Sequence, residues 1–336
     1  MRQRVADDRV RLLRFLYCDP SGVIRGKQVH AARLAGTVQA GLGLTRAQNA
    51  VNVLDDLVPI IDMEPVGEVR IVPDPSTYVR LPWLDGVGSV LSDQVDHAGQ
   101  DWGCCPRAFL RRTVTRAAEA GIRVRASFEN EFYLAENTAQ GPVPWGNGPV
   151  YSSAGLDRTA TVMNDIADAL VEQGLVVEQV YLSYERLRPS AWAGSTVSWG
   201  YDNREAALRV ASPFRGREEE STNAELKACD ASSNPYLALG GLILAGLDGL
   251  ARGRDLPEPA RHDPALMTPE QARRCGITAL PSTQAIALTR LEADEVLVGG
   301  LGDLLTRCIL ALRRAEYDRC VQMGDNAVRR ATFAIF

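Results

Sequence analysis

Histidine is scarce in this chain: His30, His97 and His262 are the only three in 336 residues, and they stand far apart. A site built mainly from imidazole is therefore not expected, and no Ser/His/Asp or Cys/His arrangement stands out. Basic clusters are missing too. The net charge is −5, and Arg111-Arg112 and Arg313-Arg314 fall inside amphipathic helical patterns that read as solvated faces. Nucleic acid is thus not an expected partner. No stretch approaches the roughly 20 apolar residues of a membrane span. The polar start Met1-Arg2-Gln3-Arg4-Val5-Ala6-Asp7-Asp8 does not resemble a signal peptide, so a cytoplasmic location is expected. The seven cysteines are odd in number and scattered; adjacent Cys104-Cys105 offer neither a zinc spacing nor an easy disulfide, and the thiols read as buried or idle. Glycines form no phosphate loop ending in Lys-Ser/Thr and no dinucleotide fingerprint after a strand. A nucleotide site here would have to be built from metals and arginines.

What is present is ordinary globular composition, 46% hydrophobic and 24% charged, with enough length for one large domain or two moderate ones. Apolar runs at 12–17 and 23–29 flank Asp19-Pro20-Ser21-Gly22 and predict a hairpin. A helix is expected near 31–40 and a strand over 87–91. From Pro106 the pattern turns helical, with Leu110, Val114, Ala117 and Ala118 at helical spacing and Gly121 as a stop. A strand over 124–134 follows. A helix over 157–173 then carries Met163, Ile166 and Leu170 on one face. Further strands are expected at 175–181, 196–200, 206–210 and 223–229, and helices at 235–251, 282–291 and 301–321. The boundary between a sheet-rich first domain and the rest falls near 100–105.

Two alternating stretches carry candidate chemistry. In Phe128-Glu129-Asn130-Glu131-Phe132 a strand would put Glu129 and Glu131 on one face, roughly 7 Å apart. Such a pair can hold hard cations, or it can be a solvated edge. In Asn223-Ala224-Glu225-Leu226-Lys227-Ala228, Glu225 and Lys227 share a face: one more metal carboxylate beside a cation, or an exposed pair. Arg186, Arg204 and Arg209 precede it, with planar donors suited to phosphate or carboxylate, although single arginines are commonly surface residues.

Taken in order, these pieces resemble the glutamine synthetase family over nearly the whole chain. Asp19-Pro20-Ser21-Gly22-Val23-Ile24-Arg25-Gly26-Lys27 is similar to its amino-terminal Asp-x-x-Gly-x-x-Arg-Gly-Lys hairpin. Val72-Pro73-Asp74-Pro75 with Leu81-Pro82-Trp83 is similar to its proline-rich stretch, and Phe128-Glu129-Asn130-Glu131-Phe132 to its metal strand. Arg186-Leu187-Arg188-Pro189, Trp199-Gly200 and Asn203-Arg204 through Arg209 resemble its arginine segment. Glu225-Leu226-Lys227 and Asn234-Pro235-Tyr236-Leu237-Ala238 resemble the Glu-x-Arg strand and the helix after it. The resemblance implies an α+β protein: a β-grasp domain over 1–102, then an α/β catalytic domain over 103–336. It implies ATP as substrate, phosphorylation of the γ-carboxylate of glutamate, and attack by ammonia or an amine on the acyl phosphate. It also implies a ring of identical subunits. By position, Glu129, Glu131 and Glu225 would hold Mg²⁺ or Mn²⁺, Arg186 and Lys227 would bind the carboxylate substrate, and Arg204 and Arg209 the phosphates.

The chain departs from that pattern in specific places. Family members are longer by about a hundred residues, and the loss falls near 181–184, between the expected strand at 175–181 and Ser183-Tyr184-Glu185-Arg186-Leu187. Half of the family's metal-ligand positions go with it. Trp192 stands where the family carries the glutamate that binds ammonium, and the amino-terminal Asp-Gly-Ser-Ser ammonium motif is absent. Both changes point to an amine larger than ammonia, a polyamine among them. Lys227 replaces an arginine, and one ammonium group cannot reproduce a bidentate grip. Three readings follow: a γ-glutamyl amide ligase, a folded pseudoenzyme serving as an interaction partner, and a deletion product without function.

Overall fold

The computed structural model describes residues 1–332 apart from 131, 133, 140, 147, 150–151, 176–193 and 231. After a short helix α1 (Arg2–Asp7), strand β1 (Leu12–Cys18) alternates strictly, and Leu13, Phe15 and Tyr17 are buried on one face. It turns through Asp19-Pro20-Ser21-Gly22 into antiparallel β2 (Ile24–His30), the hairpin that the sequence predicts. Gly22 is required there: its φ is +91°, and a Cβ would stand 2.9 Å from the Ser232 carbonyl. Helix α2 (Leu34–Ala40) and strands β3 (Leu42–Thr45), β4 (Glu68–Pro73), β5 (Val79–Arg80) and β6 (Val87–Val95) complete the first sheet.

That sheet runs β2-β1-β6-β4-β3, with β5 also on β6. Its centre, β6, pairs in parallel with β1 through its first half and antiparallel with β4 through its second. This mixed, strongly curved sheet is the β-grasp arrangement. One core joins its inner face (Leu13, Phe15, Val69, Ile71, Val90) to four helices further along the chain. They are α3 (Pro106–Glu119), α6 (Pro235–Ala251), α9 (Glu295–Leu301) and α10 (Asp303–Met323).

Pro106 occupies the first turn of α3 as expected, and of the expected set Ala117 is buried, but the rest of the buried stripe is Phe109 and Thr113, one position before Leu110 and Val114. The Phe109 ring sets this rotation. It fits against α6 at Gly240, where a Cβ would lie 2.3 Å from the ring. Asn234 caps α6 by accepting from the Tyr236 and Leu237 amides, and its side-chain amide donates to the Asp19 carbonyl at 2.8 Å.

A buried polar knot ties the hairpin to α10. Glu316 Oε1 accepts from the Ser21 hydroxyl (3.3 Å) and the Val53 amide (3.2 Å). Its Oε2 accepts from Arg313 (2.7 Å), and Arg313 also donates to the Ser21 carbonyl (3.0 Å). Beside it, Asp19 is fully buried and accepts from Arg25 at 2.6 Å.

The middle of the chain is more open. The strand expected over 124–134 is not formed: residues 123–130 carry no regular element, and Phe128 is 47% exposed. No described strand stands beside them, and an extended segment without a ladder partner leaves its amides and carbonyls to water. Instead β7 (Ala135–Thr138) pairs with β8 (Gly141–Pro144) as an isolated hairpin. Helix α4 (Ser153–Glu172) is capped by Ser152, and its face of Met163, Ile166 and Leu170 is only half-buried. The strand expected at 175–181 lies outside the described residues except for Leu175, which is irregular.

The expected strand at 196–200 is two short ones with different partners. β9 (Thr196–Val197) and, far along the chain, β13 (Thr278–Ala279) form one pair. β10 (Trp199–Tyr201), β11 (Leu208–Val210) and β12 (Ala224–Leu226) form a small sheet, parallel then antiparallel. Helices α5 (Glu218–Ser221), α7 (Pro269–Arg274), α8 (Gln284–Glu292) and α11 (Asp325–Thr332) lie between and after these elements. No described helix is long and apolar enough to cross a membrane.

Candidate active site

The small sheet gathers several of the sequence-predicted residues. Residues two apart on a strand share a face, so Glu225 and Lys227 point to the same side at the end of β12. The β11–β12 register then sets Arg209 directly opposite Glu225. Arg209 Nη1 lies 3.0 Å from Glu225 Oε2, and Lys227 Nζ lies 4.0 Å from that same oxygen. Both cationic side chains are 13% exposed, whereas the carboxylate is 30% exposed. The Arg209 Nε is buried and has no hydrogen-bond partner among the described residues.

Arg204 enters from the turn between β10 and β11. Asp202 opens that turn with a φ of +50°, a conformation that aspartate tolerates better than most side chains. Its carboxylate accepts from the Ser212 amide at 2.7 Å and from the Ser212 hydroxyl. These bonds hold the Asp202 carboxyl below the usual range, and the positive charges of Arg209 and Arg204 act in the same direction. Asn203 pins the turn to the segment before α7, donating to the carbonyls of Ala260 (2.8 Å) and His262 (3.0 Å). Tyr201, Asp202, Arg204, Arg261 and His262 border an open depression of about 460 Å³. The sequence reading did not single out Asp202 or Ser212; the only local signal was Asp202-Asn203, a pair suited to a tight turn.

The remaining candidates are not brought into this group. Glu129 is exposed on the irregular stretch 123–130, and no ladder holds it beside β12. Glu131, Arg186 and Trp192 lie outside the described residues. Among the described residues no three His, Cys, Asp or Glu side chains come together as a metal-binding group. Glu225, the candidate metal carboxylate of β12, is already flanked by a guanidinium and an ammonium on one oxygen. A divalent ion on that oxygen would meet both positive charges at close range. As arranged, these residues do not fit Mg²⁺ or Mn²⁺.

Comparison with known families decides the lineage. The model described as glutamine synthetase N-terminal domain matches residues 2–102, and that of the glutamine synthetase catalytic domain matches 103–182 and 180–330. The chain belongs to the glutamine synthetase family. Members of this family are ATP-dependent ligases, and the family assignment makes this chain an enzyme of that class by family. Divalent metals are general to the family. It is 27% identical to the gamma-glutamylpolyamine synthetase GlnA3 of Streptomyces coelicolor, covering 94% of this chain and 91% of that protein. A glutamine synthetase of Methanocaldococcus jannaschii is 38% identical over 40% of this chain and 29% of its own length. A solved structure described as apo GmaS without ligand shares the fold with a TM-score of 0.75 at 18% identity, covering 99% of each chain.

The alignments also show where the chain is shorter than a relative. The alignment with the Streptomyces protein runs to 426 positions whereas this chain has 336 residues, so 90 or more positions of that relative have no counterpart here. The two catalytic-domain segments meet at 180–182.

Proposed function

We propose that this chain joins the γ-carboxylate of glutamate to an amine larger than ammonia, with ATP as the phosphoryl donor. A carboxylate oxygen attacks the γ-phosphorus and ADP leaves. The amine nitrogen then attacks the acyl carbon, loses a proton, and inorganic phosphate departs. The observation that carries this reading is that Arg209 and Lys227 meet at one oxygen of Glu225 on the small sheet, with Arg204 in the turn that leads into β11. Fixed cations offset the charge spread over the transferred phosphoryl group and cost no reorganisation when it forms. Arg186 is the proposed partner of the glutamate carboxylate, on the family pattern alone. A polyamine is favoured by the name of the Streptomyces relative and by Trp192, which replaces a charged ammonium ligand with an apolar ring. The family's ring of identical subunits is part of the same reading, and sedimentation tests it: a monomer at micromolar concentration speaks against it.

The decisive assay is ADP release from the purified chain with Mg²⁺-ATP and glutamate, with ammonia or a panel of polyamines as acceptor. Polyamine-dependent release that is lost in Arg209→Ala is the expected result. Release with ammonia alone would overturn the acceptor. Glu129→Ala, run alongside, is expected to abolish turnover if residue 129 holds a metal, and unchanged turnover sinks that assignment. The alternative reading is a phosphate-ligand binder without turnover. ATP binding without any ADP release would select it.

A further inference from the structure

The cationic pair on β11 and β12 already has an anion, and that anion is the residue the family pattern assigns to metal. We propose that Glu225 is an internal counter-ion for Arg209 and Lys227 in place of a metal ligand. Phosphate-bearing ligands then bind this strand pair without a divalent cation, by displacing the carboxylate. This rests on the nucleotide-binding part of the proposed function and deepens it.

Four features carry the inference. The Arg209–Glu225 contact joins residues directly opposite in the ladder, so the backbone register builds it and a chance rotamer does not. Both cations bear on one oxygen, at 3.0 and 4.0 Å, which leaves a metal at Oε2 facing two positive charges. Glu129, a further metal carboxylate on the family pattern, sits exposed on a stretch with no ladder to aim it at β12. The two cationic side chains are 13% exposed whereas the carboxylate between them is 30% exposed. A phosphate oxygen taking the place of Oε2 would meet the same guanidinium and ammonium while Glu225 swings toward solvent. In the neighbouring turn the Asp202 carboxylate is bound by Ser212 and Arg204 is exposed.

The two roles for Glu225 predict opposite signs for one isosteric change. A metal ligand converted to an amide loses metal and weakens Mg²⁺-nucleotide. A counter-ion converted to an amide takes its negative charge away from Arg209 and Lys227 and tightens the bare anion. The experiment is calorimetric titration of the full chain with ADP and with inorganic pyrophosphate, in EDTA and in Mg²⁺, with melting curves to verify folding. Expected are affinities in EDTA within about threefold of those in Mg²⁺, and tightening of roughly tenfold in Glu225→Gln. Arg209→Gln should lose about tenfold or more. Binding that requires Mg²⁺ and weakens in Glu225→Gln overturns the inference and leaves the proposed function standing. No binding by the wild type or either variant in either buffer overturns both together. If Glu225→Gln fails to fold, the wild-type comparison decides alone: a Mg²⁺ dependence of tenfold or more refutes the counter-ion role.

Discussion

Helix α6 carries a pair of glycine-to-alanine changes with opposite expected outcomes. Gly240 faces the Phe109 ring, where an added Cβ would stand 2.3 Å from one ring carbon and 2.9 Å from the next. Phe109 is fully buried, so the ring has no solvent to retreat into, and α3 or α6 must move instead. Overpacking of this kind costs about 1–3 kcal/mol, and the short approach to a rigid ring places it near the upper end. Alanine is the better helix former by about 1 kcal/mol, which leaves Gly240→Ala destabilising by about 2 kcal/mol. Gly246 lies on the same helix with nothing within 4 Å of its added Cβ. Gly246→Ala therefore keeps the propensity gain alone and should stabilise by about 1 kcal/mol. Urea unfolding of both variants against the wild type measures the two shifts, and an unchanged slope confirms that the change lies in stability. Two midpoints moving the same way by the same amount would refute the α3–α6 crossing at Gly240.

The knot around Glu316 and the thiols of the core give two more expectations. Glu316→Ala strips the acceptor from Ser21, Val53 and Arg313 inside a buried site and should cost about 3 kcal/mol or more. Arg314→Ala, which breaks a surface pair with Glu292, should cost under about 1 kcal/mol; equal losses in the two variants would remove the knot's special role. Burial pushes the Cys18 thiol up to about 12 and raises Cys104 and Cys105 as well, so at pH 8 these three carry less thiolate than a free cysteine. A thiolate-directed reagent followed by mass spectrometry should mark half-exposed Cys229 well before them, and early labelling of Cys104 in native protein would show that the core does not close there.

Much of the scaffold is legible in the sequence because its signals are local. Alternation at 12–18, the Pro-Ser-Gly turn with its positive-φ Gly22, Pro106 and Gly121 around α3, and Asn234-Pro235 opening α6 each act within a few residues, and each element stands where it is expected. The family motifs carried the lineage for a related reason: their order along the chain survives even where the segment between them is gone. Ala117 of the expected α3 set is buried, but Phe109 and Thr113 take the places of Leu110 and Val114, and that rotation depends on the Gly240 notch, a residue more than a hundred positions away. The strand over 124–134 fails for a stronger reason. A helix satisfies its own backbone, whereas a strand borrows its partners, and alternation in Phe128-Glu129-Asn130 cannot supply a neighbour that the described residues do not offer. The candidate site divides along the same line. Spacing alone put Glu225 and Lys227 on one face of β12, while only the β11 register placed Arg209 against that carboxylate and made the three side chains one charge group.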